Sequence, residues 1–195
     1  HVLVGKKMDT LRTGYYMLKD CEVDKLCGDA VVLLNNSQVR EMHNSAQVRE
    51  MHGNSQVGVM WGSSQVGKMY DSSQVGKMWD GSQVGKMYGS SQVGVMWGSS
   101  QVEKMWGSSQ VGEMYDSSQV GEMYGSSKVG KMHDSSQVGK MYGSSQVGVM
   151  YGRSTARDFK GYPLIKLLVP DGGNCRFELT AHKNEQTGVA GECKN

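Results

Sequence analysis

The feature that most constrains this chain is a nine-residue repeat that runs without a gap through its middle. Segments such as GSSQVGKMY, DSSQVGKMW and GSSQVGVMW follow one another, and each Val is followed three residues later by a Met. A repeat of this kind indicates a fold in which each unit packs mainly against its neighbours. The thirteen repeat valines are Val39, Val48, Val57, Val66, Val75, Val84, Val93, Val102, Val111, Val120, Val129, Val138 and Val147.

Variation among the copies indicates which side chains point inward. Val and Met do not vary, and the position two before Val is Ser in every unit except the one with Ala46. The position before Val is nearly always Gln, and the position after Val accepts Arg40 or Glu103, so both must reach water. The position after Met is Tyr, Trp or His, which predicts a surface row of rings. Gly, Asp or Asn comes next, and these residues tolerate the left-handed backbone of a corner.

These assignments predict an all-β fold, a parallel β-solenoid (β-helix) of thirteen nonapeptide units. A helix is disfavoured because Gly and Ser fill nearly half of each unit, and each such Gly costs about 1 kcal/mol in a helix. One unit traces a perimeter of about 30 Å, which is too narrow to enclose Ser, Val and Met together. We therefore expect two units, or 18 residues, per coil. The spacing of unusual residues agrees, since Val59 and Val95, and likewise Trp61, Trp79 and Trp97, are separated by multiples of 18.

Inward side chains that are separated by two and then by three residues resemble those of the pentapeptide-repeat family, whose solenoid coils turn corners in this way. The resemblance covers residues 37–151, although the unit has nine residues instead of ten and Val or Met replaces the usual central Leu or Phe. Near-identical repeats also look like those of bacterial and bacteriophage proteins, which implies a phage-encoded antagonist of a host protein or a surface adhesin. The nonapeptide of calcium-binding β-rolls has the same length, but its Gly-Gly-x-Gly-x-Asp ligand loop is absent from this sequence, so no calcium site is expected.

The loss of the repeat at both ends divides the chain into three parts. Residues 1–34 are expected to form an N-terminal cap and degenerate first coils, in which residues 15–18 cover the open core. Residues 35–152 are the nonapeptide-repeat solenoid. Residues 153–195 are expected to form a C-terminal β-hairpin cap or an assembly element. The two strands of that hairpin are predicted at residues 162–169 and 175–181.

Two degenerate units are predicted ahead of the repeat. Ala30 and Leu33 stand nine residues before the first repeat Val and Met, which places Leu34 in the ring position. Val23 and Leu26 form an earlier unit with the same internal spacing of three.

The charge balance argues against several classes of partner. Lys and Arg number 21 against 19 Asp and Glu, so neither nucleic acid nor a membrane is expected as a partner. No segment approaches the roughly 20 apolar residues of a membrane span. The cysteines leave both the compartment and the redox state open, because two short local disulfides and free thiols are equally compatible with their positions. They are Cys21, Cys27, Cys175 and Cys193.

No catalytic residue, cofactor or metal site is expected. The repeat serines have no His and carboxylate partners at a recognisable spacing, and the Gly-rich segments do not match a phosphate-binding loop. His43, His52 and His133 occupy the ring position of their units. His43 and His52 would lie on opposite faces of an 18-residue coil, which argues against a joint metal site. We therefore expect a protein that is not an enzyme.

The row of exposed rings is the best candidate binding site. Trp and Tyr can anchor a protein partner or stack on sugars, and neighbouring lysines can form cation–π pairs with them. The alternative is that the rings only shield the flank of the solenoid and stack on one another. The neighbouring lysines are Lys68, Lys77, Lys86 and Lys104. The predicted site comprises Trp61, Trp79, Trp97, Trp106, Tyr70, Tyr88, Val59 and Val95.

These features favour a non-catalytic binding or scaffold protein that presents a regular aromatic and Gln/Lys surface to a protein or glycan. Two alternatives come from other classes. An ice-binding (antifreeze) solenoid would use the flat regular faces, although Lys and Glu interrupt them. A structural element of a fibre or particle would assemble as a homo-oligomer through its terminal regions.

Overall fold

The structure is a computed structural model, and it describes residues 1–168 and 176–178. The strands of these residues form two sheets, and the part of the chain described has no helix long and apolar enough to cross a membrane. Sheet A contains β1 (Val2–Val4), β3 (Tyr15–Lys19), β5 (Val31–Asn35), β7 (Gln47–His52), β9 (Gln65–Met69), β11 (Gln83–Met87), β13 (Gln101–Met105), β15 (Gln119–Met123), β17 (Gln137–Gly143), β19 (Thr155–Arg157), β20 (Phe159–Gly161) and β22 (Arg176–Glu178). Sheet B contains β2 (Lys7–Leu11), β4 (Glu22–Leu26), β6 (Gln38–Met42), β8 (Gln56–Met60), β10 (Gln74–Met78), β12 (Gln92–Met96), β14 (Gln110–Met114), β16 (Lys128–Met132), β18 (Gln146–Met150) and β21 (Leu164–Leu168).

Each repeat coil contributes one strand to each sheet, so the chain alternates between the sheets. All strand pairs are parallel, and within the repeat they join residues that are 18 apart, such as Val75 with Val93 and Met78 with Met96. Sheet A has the same register, with Val84 opposite Val102. The predicted parallel β-solenoid with two units per coil is therefore confirmed.

The core consists of the three side chains that were predicted to point inward. The repeat Met residues are 0% exposed, and the repeat Val residues are at most 1% exposed. The Ser two positions before each Val is also fully buried. Ser55 donates a hydrogen bond to the carbonyl of His52 at 2.7 Å, but most of the other buried Ser hydroxyls have no partner within the described residues. Small size therefore explains this position better than hydrogen bonding, which agrees with its occupation by Ala46.

Each unit ends in a corner whose first residue has a left-handed backbone. The φ angle is +67° at Gly98 and +57° at Asp80, as the preference for Gly, Asp and Asn predicted. An Asp at this position also links neighbouring coils. The N–H of Gly98 donates a hydrogen bond to Oδ2 of Asp116 in the next coil, at 3.0 Å.

The Gly that follows the repeat Val is explained by a close approach between coils. A Cβ atom added at Gly94 would lie 2.5 Å from the carbonyl oxygen of Gly76 in the preceding coil. That distance is too short for a carbon–oxygen contact, so a side chain requires the coils to shift. Glu103 occupies the equivalent position with the ordinary register, so the rod accommodates a side chain there.

The first coils are shorter than the repeat coils and belong to the same solenoid. Val2 pairs with Met17 and Val23 pairs with Val39, so the separations are 15 and 16 residues. Residues 1–19 therefore contribute β1, β2 and β3 to the two sheets. Of the four residues expected to cover the core, Leu18 is fully buried, but Met17 is 46% exposed on the outer face of sheet A.

The unit just before the repeat differs from the prediction by one residue. A register shift between Val32 and Leu33 puts Leu34 opposite Met51. Leu34 is fully buried and takes the inward Met position, whereas Leu33 faces outward. The expected spacing was wrong here because an irregularity in the strand reverses which side chains face the core.

The two strands predicted to form a C-terminal hairpin do not pair with each other in the described residues. Strand β21 pairs in parallel with β18, and β22 pairs in parallel with β19, so each extends one sheet of the solenoid. Alternation of apolar residues predicts a strand but not its partner, which is why the hairpin was inferred. Residues 169–175, with the predicted turn, and residues 179–195 lie outside the described part.

The two N-terminal cysteines are free thiols. Cys21 is buried, with its Sγ 3.2 Å from the carbonyl oxygen of Lys19 and 3.3 Å from that of Leu3, and Cys27 is half-buried. The local disulfide considered for this pair is therefore not formed. Cys175 and Cys193 lie outside the described residues.

Candidate binding surface

All the rings that follow the repeat Met residues, except His43, form two separate stacks. Strands of sheet B end at one corner of the solenoid and strands of sheet A end at the opposite corner, so each corner carries its own stack. Adjacent ring centroids are 4.2–5.6 Å apart, and adjacent planes are within 13° of parallel. The B ladder, after strands of sheet B, contains Trp61, Trp79, Trp97, Tyr115, His133 and Tyr151. The A ladder, after strands of sheet A, contains His52, Tyr70, Tyr88, Trp106, Tyr124 and Tyr142.

The eight residues predicted as one binding site are only partly brought together. Five of them lie on sheet B or on the ladder that follows it. The other three belong to the A ladder at the opposite corner and cannot contact the same small ligand. The first group is Val59, Val95, Trp61, Trp79 and Trp97, and the second is Tyr70, Tyr88 and Trp106.

The first group forms a continuous surface across three coils. Val59 and Val95 are in register on either side of Lys77 in sheet B. Each of these three residues lies two positions before a Trp, and the Met between them points into the core, so the column and the ring share the outer surface. We call Val59, Val95, Trp61, Trp79 and Trp97 the Trp patch.

The ring faces within the patch are largely covered by neighbouring rings. Trp79 lies between Trp61, at a centroid distance of 5.3 Å, and Trp97, at 4.2 Å. Its edge is therefore the part that can meet a partner. Trp61 begins the stack and is 37% exposed, while the other two rings are half-buried. Ring edges beside Val side chains suit the apolar groups of a protein better than the face-on stacking of a sugar.

Lys77 gives the Trp patch a positive charge at its centre. Its register neighbours are Val59 and Val95, and it makes no ion pair within the described residues. Several lysines at the same position elsewhere contact carboxylates of adjacent coils: Lys131 lies 2.8 Å from Glu113, and Lys68 lies 3.0 Å from Glu50. The exposed Lys77 ammonium is therefore available to a carboxylate on a partner.

Beyond the patch, carboxylates hold the phenols of both ladders. The hydroxyl of Tyr115 donates to Glu113 at 2.6 Å, and that of Tyr124 donates to Glu122 at 2.7 Å. The bond to Glu122 raises the pKa of Tyr124 to about 12, because ionising the phenol would remove the donor and place two negative charges together. The same bond, with help from Lys104, lowers the pKa of Glu122. Sequence reasoning missed these pairs, although the spacing of two between Glu and Tyr recurs in both units.

Titration of Tyr124 tests this arrangement. In the folded protein we expect its phenol to ionise near pH 12, measured by NMR on tyrosine labelled at the ring carbon that bears the hydroxyl. Because this pKa is raised above the ordinary value of 10.0, the stabilisation is complete below pH 10 and is lost as the pH rises toward 12. Glu122→Gln should return the Tyr124 pKa toward 10, whereas Glu113→Gln should leave it unchanged. An ordinary pKa for Tyr124 in the wild type would contradict the hydrogen bond.

A shallow groove of about 620 Å³ lies on the outer face of sheet A, away from the Trp patch. Two of its charged groups, Glu50 and Lys68, pair with each other. Within the described residues, no group of three or more His, Cys, Asp and Glu side chains is placed to hold a metal ion. The groove is lined by Leu33, Arg49, Glu50, Gly67, Lys68, Gly85, Lys86 and Glu103.

Comparison with protein-family models, curated proteins and solved structures finds no match to this chain. The resemblance to pentapeptide-repeat proteins therefore stays a prediction.

Proposed function

We propose that this protein is a non-catalytic binding scaffold whose Trp patch contacts a protein partner. The observation that carries the proposal is the coincidence of three stacked Trp residues and two outward Val residues on the same three coils. Trp is the residue type most enriched at the energetic centre of protein interfaces. At the position two residues before the ring, every repeat unit has a charged residue except those with Val59, Val95 and Val149.

The solenoid does not need these residues to form. Glu113 and Lys131 occupy the column position of Val59 and Val95, and Tyr115 occupies the ring position, with an unchanged register. The Trp and Val residues therefore add surface properties to a coil that keeps the same register with polar alternatives.

The chemistry of the patch specifies the partner in part. Val side chains and ring edges favour an apolar or aromatic side chain, and Lys77 favours a carboxylate close beside it. A patch of five side chains is the size of an interface centre, which a wider rim would surround. A partner surface with an apolar anchor next to Asp or Glu matches these features.

The repeat suggests two more specific roles, a phage-encoded antagonist of a host protein and a surface adhesin. Either role would use such a patch. A glycan partner is less well matched, because the ring faces are covered. The ice-binding alternative has no comparable support, since Lys77, Glu113 and Lys131 interrupt the flat face of sheet B.

A capture experiment tests the proposal with a variant in which the two unusual Val residues are replaced by Lys, the usual residue of the repeat at that position. Immobilised wild-type protein is expected to retain a specific protein from bacterial lysate, identified by mass spectrometry. The double variant Val59→Lys, Val95→Lys should lose it, because Lys removes apolar surface and is the usual residue at this position. Val149→Lys changes the same column outside the patch and serves as the matched control. Equal capture by the double variant and by the wild type would contradict the proposal.

A further inference from the structure

The outer face of sheet A carries an apolar surface at its N-terminal end, far from the Trp patch. Strands β1, β3 and β5 each place two apolar side chains outward on this face. Val2, Val4, Tyr15 and Met17 are 68%, 54%, 69% and 46% exposed. Val31 and Leu33 of β5 are half-buried. We call Val2, Val4, Tyr15, Met17, Val31 and Leu33 the N-terminal face.

The register makes this face contiguous. Val2 lies beside Met17, and Met17 lies beside Leu33, while Tyr15 lies beside Val31. Lys19 and Asn35 follow at the ends of their strands and form a polar edge. The next strand, β7, begins the charged part of the same face with Arg49 and Glu50. Four of the seven large apolar side chains that are clearly exposed in the described residues lie here. A cluster of this kind on a soluble protein marks a contact surface.

We propose that the N-terminal face is the interface of a homodimer, in which two copies pack face to face about a twofold axis parallel to β3. This symmetry places β1 of one copy over β5 of the other and β3 over β3. By the strand register, Val2 then meets Leu33 of the other copy, and the larger Tyr15 and Met17 meet their own copies along the axis. Val4 meets Asn35 at the polar edge of the face. A twofold contact of this kind is self-complementary and closed.

Charge and area are compatible with a second copy as the occupant. Lys19 is the charged side chain next to the N-terminal face: it lies beside Val4 at the polar edge, where its exposed ammonium extends into water, so pairing does not bury its charge. The two rods extend in opposite directions from the axis, which leaves Arg49 and Glu50 of each copy beyond the end of the other. The six side chains offer on the order of 500 Å² per copy, or about 1,000 Å² for the pair, where specific interfaces begin.

The dimer has a consequence that rests on the proposed function. Pairing through sheet A leaves both copies of sheet B facing outward, on opposite sides of the assembly. The two Trp patches would then bind two partner molecules, or one multivalent partner with a gain in avidity.

The oligomeric state of the full chain tests the inference without using any partner. Sedimentation and light scattering at concentrations up to a few hundred micromolar should give twice the chain mass of 21.4 kDa. High salt should preserve the dimer, because the contact is apolar. The double variant Tyr15→Glu, Met17→Glu should be monomeric, since it would bury like charges on the axis. Gln101→Glu with Gln119→Glu adds the same charge at exposed positions of the same sheet and should remain dimeric.

A second variant guards against a folding defect. Tyr15→Lys with Met17→Lys should dissociate the dimer equally, and the circular dichroism of both double variants should match that of the wild type. A monomeric wild type at every concentration would overturn the proposal. Dimers that survive both substitutions, that dissociate in high salt, or that grow into larger assemblies would overturn it as well.

Discussion

Replacing the three Trp residues of the B ladder by Ala is expected to abolish capture of the partner, whereas the same treatment of the A ladder should leave capture intact. Truncating a central interface Trp typically weakens binding by at least about 2 kcal/mol, and three adjacent ones should lower the affinity by well over 100-fold. The two triple variants are Trp61→Ala, Trp79→Ala, Trp97→Ala and Tyr70→Ala, Tyr88→Ala, Trp106→Ala.

The comparison separates binding from folding because the two ladders are structurally equivalent. Each triple variant removes three consecutive rings at similar spacing and leaves the buried Val and Met columns untouched. Their losses of stability should therefore be similar, as measured by thermal unfolding. Equal loss of capture in both variants would show that the rings act only through stability, and loss in the A-ladder variant alone would place the site at the other corner.

Met96→Asp is expected to have the largest effect on stability. Met96 is fully buried and stacks in register between Met78 and Met114 in the middle of sheet B. A carboxylate there has neither a cationic partner nor water, so the free energy of unfolding should fall by about 4–5 kcal/mol or more. Chemical denaturation followed by circular dichroism measures this change.

Met96→Leu provides the matched control, because it keeps the volume and the apolar character of the side chain. The free energy of unfolding should fall by less than about 1.5 kcal/mol. If Met96→Asp were as mild as Met96→Leu, the inward assignment of the repeat Met would be incorrect.

The repeat region could be predicted from sequence because its copies vary independently at each position. Substitution of Ser by Ala46 indicated a small buried site, and Arg40 and Glu103 indicated an exposed one. The coil length followed from the spacing of unusual surface residues. Val59 and Val95 lie 36 residues apart, and both are register partners of Lys77 in the structure. The 18-residue period also divides the rings into two ladders. Trp61 and Tyr70 differ by nine residues, half a coil, and must lie at opposite corners.

The ends could not be predicted to the same degree, because they offer no copies to compare. In the N-terminal region the separation of paired residues falls from 18 to 16, and a register shift makes it 17 at Leu33, so Leu33 was placed inward when it faces outward. The exposed N-terminal face was missed for the same reason. Tyr15 and Met17 were expected over the core because their strand could not be assigned a register. The close approach of the Gly76 carbonyl to Gly94, which leaves no room for a Cβ atom there, left no pattern beyond the Gly itself.

Hydroxyl-radical footprinting of the captured complex tests the central claim most directly, because mass spectrometry reads the solvent access of individual Trp side chains. We expect oxidation of Trp61 and Trp97 to fall several-fold when the partner binds, while oxidation of Trp106 at the opposite corner stays unchanged. Protection of Trp106 without protection of Trp61 and Trp97, or equal protection of all three, would contradict the assignment of the Trp patch as the binding surface.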